Sequence, residues 1–152
     1  ELLNRFYRVA TETLIGHDAT VDKLIGDEVM AFFIPGFSGP DFKSKAIDAG
    51  RSLMRAFGYG GTEPPWLSVG VGIDVGSTFV GNIGGEHIVD FTALGDPVNT
   101  AQRIQAKAKP GELLVSEPAF AAVSEQFPGL VRNTIRLRGK SAKIGVYSLP
   151  IG

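Results

Sequence analysis

Two runs of strand-forming residues, ATVDKLI (19–25) and EVMAFFI (28–34), are separated by nothing but Gly26-Asp27. A connection of two residues leaves no room for a crossover, so the strands must be antiparallel neighbours. Glycine at the first central position suits a type II′ turn, whose twist matches that of the flanking strands. In the first run Val21, Lys23 and Ile25 alternate onto one face. The second is apolar throughout, the pattern of a strand covered on both faces. The chain therefore carries a tight hairpin with a carboxylate at its tip.

Other segments have their own periods. Leu2, Leu3, Phe6, Ala10 and Leu14 recur near every 3.6 residues and predict a helix over 1–15, ended by Gly16. After the turn-rich loop GFSGPDF, the positions of Phe42, Ala46, Ala49, Leu53 and Phe57 predict a second helix that stops at GYGGTEPP. WLSVGVGIDVG and HIVDFTALG read as strands, with STFVGNIGG between them as a loop or short strand. Asp96 as N-cap and Pro97 at the first helical position predict a helix from Pro97 to about Lys107. GELLVSEPAFAAVSE gives a strand and a short helix. LVRNTIRLRGK and IGVYSLP close the chain as two strands around a basic loop. The order α-β-β-α-β-β-α-β-α-β-β favours an α+β fold with a mixed or antiparallel sheet over a doubly wound parallel one.

At 152 residues the chain suffices for one domain with a substantial core. Its 15 basic and 16 acidic residues leave a net charge of −1, so no overall basic field supports nucleic-acid binding. The absence of cysteine removes disulfides, thiolate metal sites and cysteine nucleophiles together, and fits a reducing, cytoplasmic setting. No apolar run approaches the roughly 20 residues of a membrane span. No signal-peptide pattern opens the chain, which begins directly on a helical pattern at Glu1. The expectation is that further chain precedes it.

Several polar residues stand where chemistry can use them. Asp27, at the hairpin tip, reads either as turn chemistry or as a hard oxygen ligand for Mg²⁺. Lys23 reads as an edge-strand lysine or as a donor aimed at a ligand from the sheet. Asn99 and Arg103 lie one helical turn apart on one face, with Thr92 on the preceding strand. That face is either simply solvated or a polar cradle, the amide orienting a ligand and the guanidinium gripping phosphate oxygens in a fork. Arg136, Arg138, Lys140 and Lys143 form a basic stretch. Most of it reads as a solvated strand face, but Lys140, in a turn-like RGK, can reach a polyphosphate tail. His17 and His87 show no metal-ligand spacing and read as non-catalytic. GSTFVGNIGG is neither a Walker A loop nor a dinucleotide fingerprint and marks close backbone packing.

In combination and order, these motifs resemble the catalytic domain of the class III nucleotidyl cyclases, over residues 1 to about 150. DKLIGDEVMAFF resembles the family's lysine-then-Gly-Asp hairpin. FTALGDPVNTAQRI is similar to its Thr/Asp-then-Asn-then-Arg signature, with spacings of seven and four. WLSVGVGIDVGSTFVGNIGG resembles its glycine-rich strand and turn, and LRGKSAKIGVYSL its closing hairpin.

The resemblance implies a ferredoxin-like cyclase fold and conversion of a nucleoside triphosphate to a 3′,5′-cyclic monophosphate and pyrophosphate. It also implies two divalent ions, Mg²⁺ or Mn²⁺, and a homodimer with active sites at the interface. By the same resemblance, Asp27 is one of two metal-binding aspartates, and Lys23 and Thr92 read the purine, a pairing typical of adenylate cyclases. Asn99 orients the ribose, Arg103 stabilises charge on the α-phosphate, and Lys140 holds the terminal phosphates. ATP is then the substrate and cyclic-nucleotide signalling the setting. The alternatives are a guanylate cyclase, where glutamate and cysteine more often stand at the base-reading positions, and a nucleotide-sensing module without turnover. The Gly-Gly-acidic-Glu-Phe loop of diguanylate cyclases is absent. The family's other metal aspartate sits on a first strand that nothing here matches; Asp74 and Asp90 lie outside its motif. That strand is expected upstream, where a regulatory or membrane segment also has room, and this stretch alone is expected to be inactive.

Overall fold

The computed structural model describes residues 1–83, 90–137 and 142–152, with backbone only for 23–25, 82–83 and 90–94. In chain order the elements are α1 (Leu2–Gly16), β1 (Thr20–Ile25), β2 (Glu28–Phe32), the one-turn α2 (Pro35–Ser38) and α3 (Phe42–Ala56). Then come β3 (Val71–Ile73), β4 (Phe79–Ile83), β5 (Asp90–Leu94), α4 (Asp96–Lys107), β6 (Leu113–Ser116) and α5 (Glu117–Phe120). A 3₁₀ turn (Ser124–Gln126), β7 (Asn133–Arg136) and β8 (Lys143–Leu149) complete the chain.

The centre is a four-stranded sheet in the order β3-β6-β8-β7, with β3 parallel to β6 and the other pairs antiparallel. β6 is buried along its whole length, and its alternation divides the core in two. Leu113 and Val115 face one side with Ile47, Phe120, Val123 and Leu149, while Leu114 faces the other with Ile104, Leu137 and Val146. Helices α3 and α5 cover the first face and α4 the second, so this is an α+β fold with a mixed sheet between flanking helices. A third cluster joins α1 to α3 through Phe6, Ala10 and Phe57. The pairs β1–β2 and β4–β5 are separate antiparallel ribbons.

The hairpin forms as its turn chemistry requires, with Ile25 opposite Glu28 and Gly26 at φ +55°. Four expectations need correction. The register slips between Val21 and Lys23, which interrupts the strict alternation read along β1. EVMAFFI is half-buried along β2, not covered on both faces. Leu2 and Leu3 match the helical period but are 55% and 44% exposed, since α1 meets α3 only from Phe6 onward. And α4 begins one residue early: Gly95 is its cap and Asp96 its first residue. STFVGNIGG contributes β4, the loop GFSGPDF is entered through α2, and WLSVGVGIDVG is strand only over Val71–Ile73.

Gly16 is the last residue of α1, but the left-handed residue that ends the helix is Asp18, at φ 64°. Asp18 N–H donates to the Ile15 carbonyl and Ala19 N–H to Leu14, the paired bonds of a Schellman ending. Three contacts tie this corner down. The buried Ser38 hydroxyl donates to the Asp18 carbonyl (2.7 Å), Lys45 Nζ bonds the Asp18 carboxylate (2.7 Å), and Ser52 Oγ lies 3.2 Å from His17 Nε2.

The Lys45 hydrogen bond, reinforced by its charge, holds the Asp18 carboxyl below the usual carboxylate range. A lowered carboxyl pKa contributes stability above the unfolded value of about 3.9, and loses it as pH falls through the folded value. The wild-type advantage over Lys45→Met should therefore be present at neutral pH, fade in acid and shrink with added salt. Thermal melts of both proteins across pH check this; an advantage that grew in acid would contradict it.

Candidate active site

Asp27 sits exposed on the turn between β1 and β2, and no side chain among the described residues hydrogen-bonds its carboxylate. With Glu28, Ser68, Val69, Gly70, Gln105, Ala108 and Pro110 it lines an open depression between the start of β2, the approach to β3 and the second half of α4. An exposed carboxylate has the oxygen chemistry that Mg²⁺ and Mn²⁺ accept. Among the described residues no group of three or more His, Asp or Glu gathers into a metal cage. Asp27 thus fits one ligand of such an ion, with the remainder to come from elsewhere.

Asn99 lies near the start of α4 and Arg103 one turn further along it, on a helix held by burial of Thr100 and Ile104 on the adjoining face. Asn99 is exposed and Arg103 half-buried, and neither side chain has a hydrogen-bond partner among the described residues. Such a pair suits a site awaiting an anionic ligand, and it equally describes a solvated face. Two glycines set the placement of α4. A Cβ on Gly72 of β3 would lie 2.4 Å from the Gln105 nitrogen and 2.6 Å from the Ala101 oxygen, so the helix backbone rests directly on the strand. A Cβ on Gly76 would lie 2.7 Å from Pro97 Cγ, the close packing expected of the glycine-rich stretch.

Lys23 lies on β1 and Thr92 on β5, two strands in contact with each other, and Thr92 pairs with Gly81. Their side chains lie outside the description, as do Lys140, Arg138 and His87 entirely. His17 closes α1, its Nδ1 donating to the Thr13 carbonyl (2.9 Å). The strands that carry the base-reading candidates are thus brought together. The depression at Asp27, however, includes neither Asn99 nor Arg103.

One contact had no signal in the sequence. The Tyr7 hydroxyl on α1 donates to the Gly26 carbonyl at the hairpin tip, 19 residues away. The helical period marks Tyr7 only as a neighbour of the apolar stripe.

This arrangement has counterparts. The profile of the adenylate and guanylate cyclase catalytic domain matches residues 1–150, and the chain belongs to that family. An adenylate cyclase specific to terminal differentiation in Dictyostelium discoideum is 28% identical over 160 residues, 98% of this chain and 7% of that protein. An uncharacterised protein of Mycobacterium tuberculosis is 32% identical over 128 residues, 83% of this chain and 23% of its own length. The chain thus spans about a quarter or less of these curated relatives. Among solved structures, the adenylyl cyclase CyaB from P. aeruginosa superposes with a TM-score of 0.78 at 25% identity, covering 97% of this chain and 79% of that one. The guanylyl cyclase Cya2 superposes at 0.84 with 24% identity, over 96% and 77%. The chain is a nucleotidyl cyclase catalytic domain, of adenylyl or guanylyl type. Among the described residues no helix is long and apolar enough to cross a membrane.

Proposed function

We propose that this domain is an adenylate cyclase that converts ATP to 3′,5′-cyclic AMP and pyrophosphate. The observation that carries the choice of base is the contact between β1 and β5, which bear Lys23 and Thr92. An ammonium and a hydroxyl from neighbouring strands suit the N1 and N6 edge of adenine. In the reaction the ribose 3′-oxygen loses its proton and bonds to the α-phosphorus, and the bond from that phosphorus to the bridging oxygen breaks, releasing pyrophosphate. Asn99 orients the ribose. Arg103 meets the charge that gathers on the α-phosphoryl oxygens, where a fixed cation helps most at the transition state. Lys140 holds the terminal phosphates. Asp27 would hold a divalent ion, which supplies positive charge against the triphosphate.

Two features support a larger assembly around this chain. The depression at Asp27 includes neither Asn99 nor Arg103, which favours a homodimer whose interface joins one protomer's acid to its partner's amide and guanidinium. Among the described residues β2 pairs only with β1 and β3 only with β6, and the depression opens between them. A further strand of the full-length protein, bearing a second carboxylate, fits that gap.

The test is competition between ATP and GTP in the full-length protein with Mn²⁺. Cyclic AMP should dominate the product by roughly tenfold or more, as a purine edge read by two hydrogen bonds allows. Predominant cyclic GMP would transfer the domain to guanylate cyclases. Nucleotide binding without either product, in a confirmed dimer, would make it a sensing module.

A further inference from the structure

We propose that Tyr7 is a positioning residue for Asp27, fixing the direction of its carboxylate by holding the carbonyl of Gly26. The inference rests on the reading of Asp27 as a metal ligand.

The turn Ile25-Gly26-Asp27-Glu28 has Gly26 at φ +55°, and Asp27 is not left-handed: among the described residues, Asp18 is the one non-glycine with positive φ. That is the type II′ pattern. Type I′, the other favoured two-residue turn, shares the positive φ at the first position and differs chiefly by a flip of the central peptide. The flip carries the second residue from φ near −80° to near +90°. Aspartate tolerates the left-handed region better than most residues, so its side chain alone does not forbid that flip. A flip would swing the Cα–Cβ bond of Asp27 and re-aim the carboxylate.

The central peptide is the one whose oxygen belongs to Gly26, and that oxygen accepts the Tyr7 hydroxyl. The donor is itself fixed. Its ring lies 5.6 Å from that of Phe6, which packs 5.7 Å from Phe57, and it borders the cluster that also takes in Val29 of β2. Helix α1 is thus braced against the hairpin twice, by apolar packing at Val29 and by a directional bond at the tip. The bond acts on the single peptide whose rotation decides where Asp27 points. A residue that orients a ligand without touching the metal typically changes metal affinity about 10–100-fold when lost.

The experiment uses the full-length protein with Mn²⁺ as probe and an ATP analogue whose α,β-bridging oxygen is replaced by methylene, free Mn²⁺ being read by electron paramagnetic resonance. Tyr7→Phe removes one hydroxyl and keeps the ring, so the core contact survives. It should raise the half-saturating Mn²⁺ concentration about tenfold, with little change in melting temperature. Asp27→Asn should weaken binding at least as much, and the double variant should match Asp27→Asn alone, because Tyr7 acts through Asp27. A Tyr7→Phe curve that overlays wild type while Asp27→Asn shifts would overturn the role of Tyr7 and leave Asp27 as a ligand. A double variant weaker than Asp27→Asn would place the action of Tyr7 elsewhere. An unshifted Asp27→Asn curve would remove the metal role of Asp27, and this inference with it.

Discussion

Replacing Arg103 with alanine is expected to lower kcat by roughly 10²–10³-fold, the loss seen when one preorganised charge-stabilising donor is removed. The guanidinium is half-buried and has no hydrogen-bond partner among the described residues, so its removal strands no polar group among them. The melting temperature should stay within a few degrees of wild type. The KM for ATP should change far less than kcat, because the charge it answers grows chiefly in the transition state. Steady-state kinetics with a parallel thermal melt decide this, and undiminished turnover would remove Arg103 from the mechanism. The same variant tests the proposed dimer. Mixed with Asp27→Asn chains that exchange subunits at random, it should recover roughly a quarter of wild-type activity, from the one intact site of each mixed dimer. No recovery despite exchange would mean that both residues serve one site from one chain.

The second large effect belongs to a residue with no side chain. Gly72→Ala places a methyl 2.4 Å from the backbone nitrogen of Gln105 and 2.6 Å from the carbonyl oxygen of Ala101. Neither atom belongs to a flexible side chain, so α4 must lift off β3. Overpacking of this kind costs about 1–3 kcal/mol and sometimes more, which for a domain of this size lowers Tm by roughly 2–4 °C per kcal/mol. Activity should fall further than stability accounts for, by about 10²-fold, because α4 carries Asn99 and Arg103 and a displacement near 1 Å is enough. Gly16→Ala is the control: no atom lies within 4 Å of a Cβ there and the backbone is ordinary. It should melt at or slightly above the wild-type temperature. If Gly72→Ala melts and turns over like Gly16→Ala, the close seat of α4 on β3 has no functional weight.

The legible parts of this protein were those governed by neighbours along the chain. Gly26-Asp27 between two strand patterns implied a hairpin because two residues allow nothing else, and Pro97 marked the start of α4 to within a residue. The spacing of Thr92, Asn99 and Arg103 carried the family resemblance that the match over residues 1–150 upholds. Periodicity was less faithful about burial. Leu2 and Leu3 keep the helical period yet stand exposed, because a period states which residues share a face and not how far the covering neighbour extends.

Local turn chemistry and side-chain period thus determined the hairpin, the main helices and the candidate residues, all of which depend on interactions spanning a few positions. Tertiary packing alone decided the order β3-β6-β8-β7, the seat of α4 on Gly72, the reach of Tyr7 to Gly26, and the depression that Asp27 shares with Gly70 and Gln105. Each of these joins segments far apart in the chain, and which distant surfaces meet is set by the burial and backbone pairing of the whole molecule rather than by any one stretch of it.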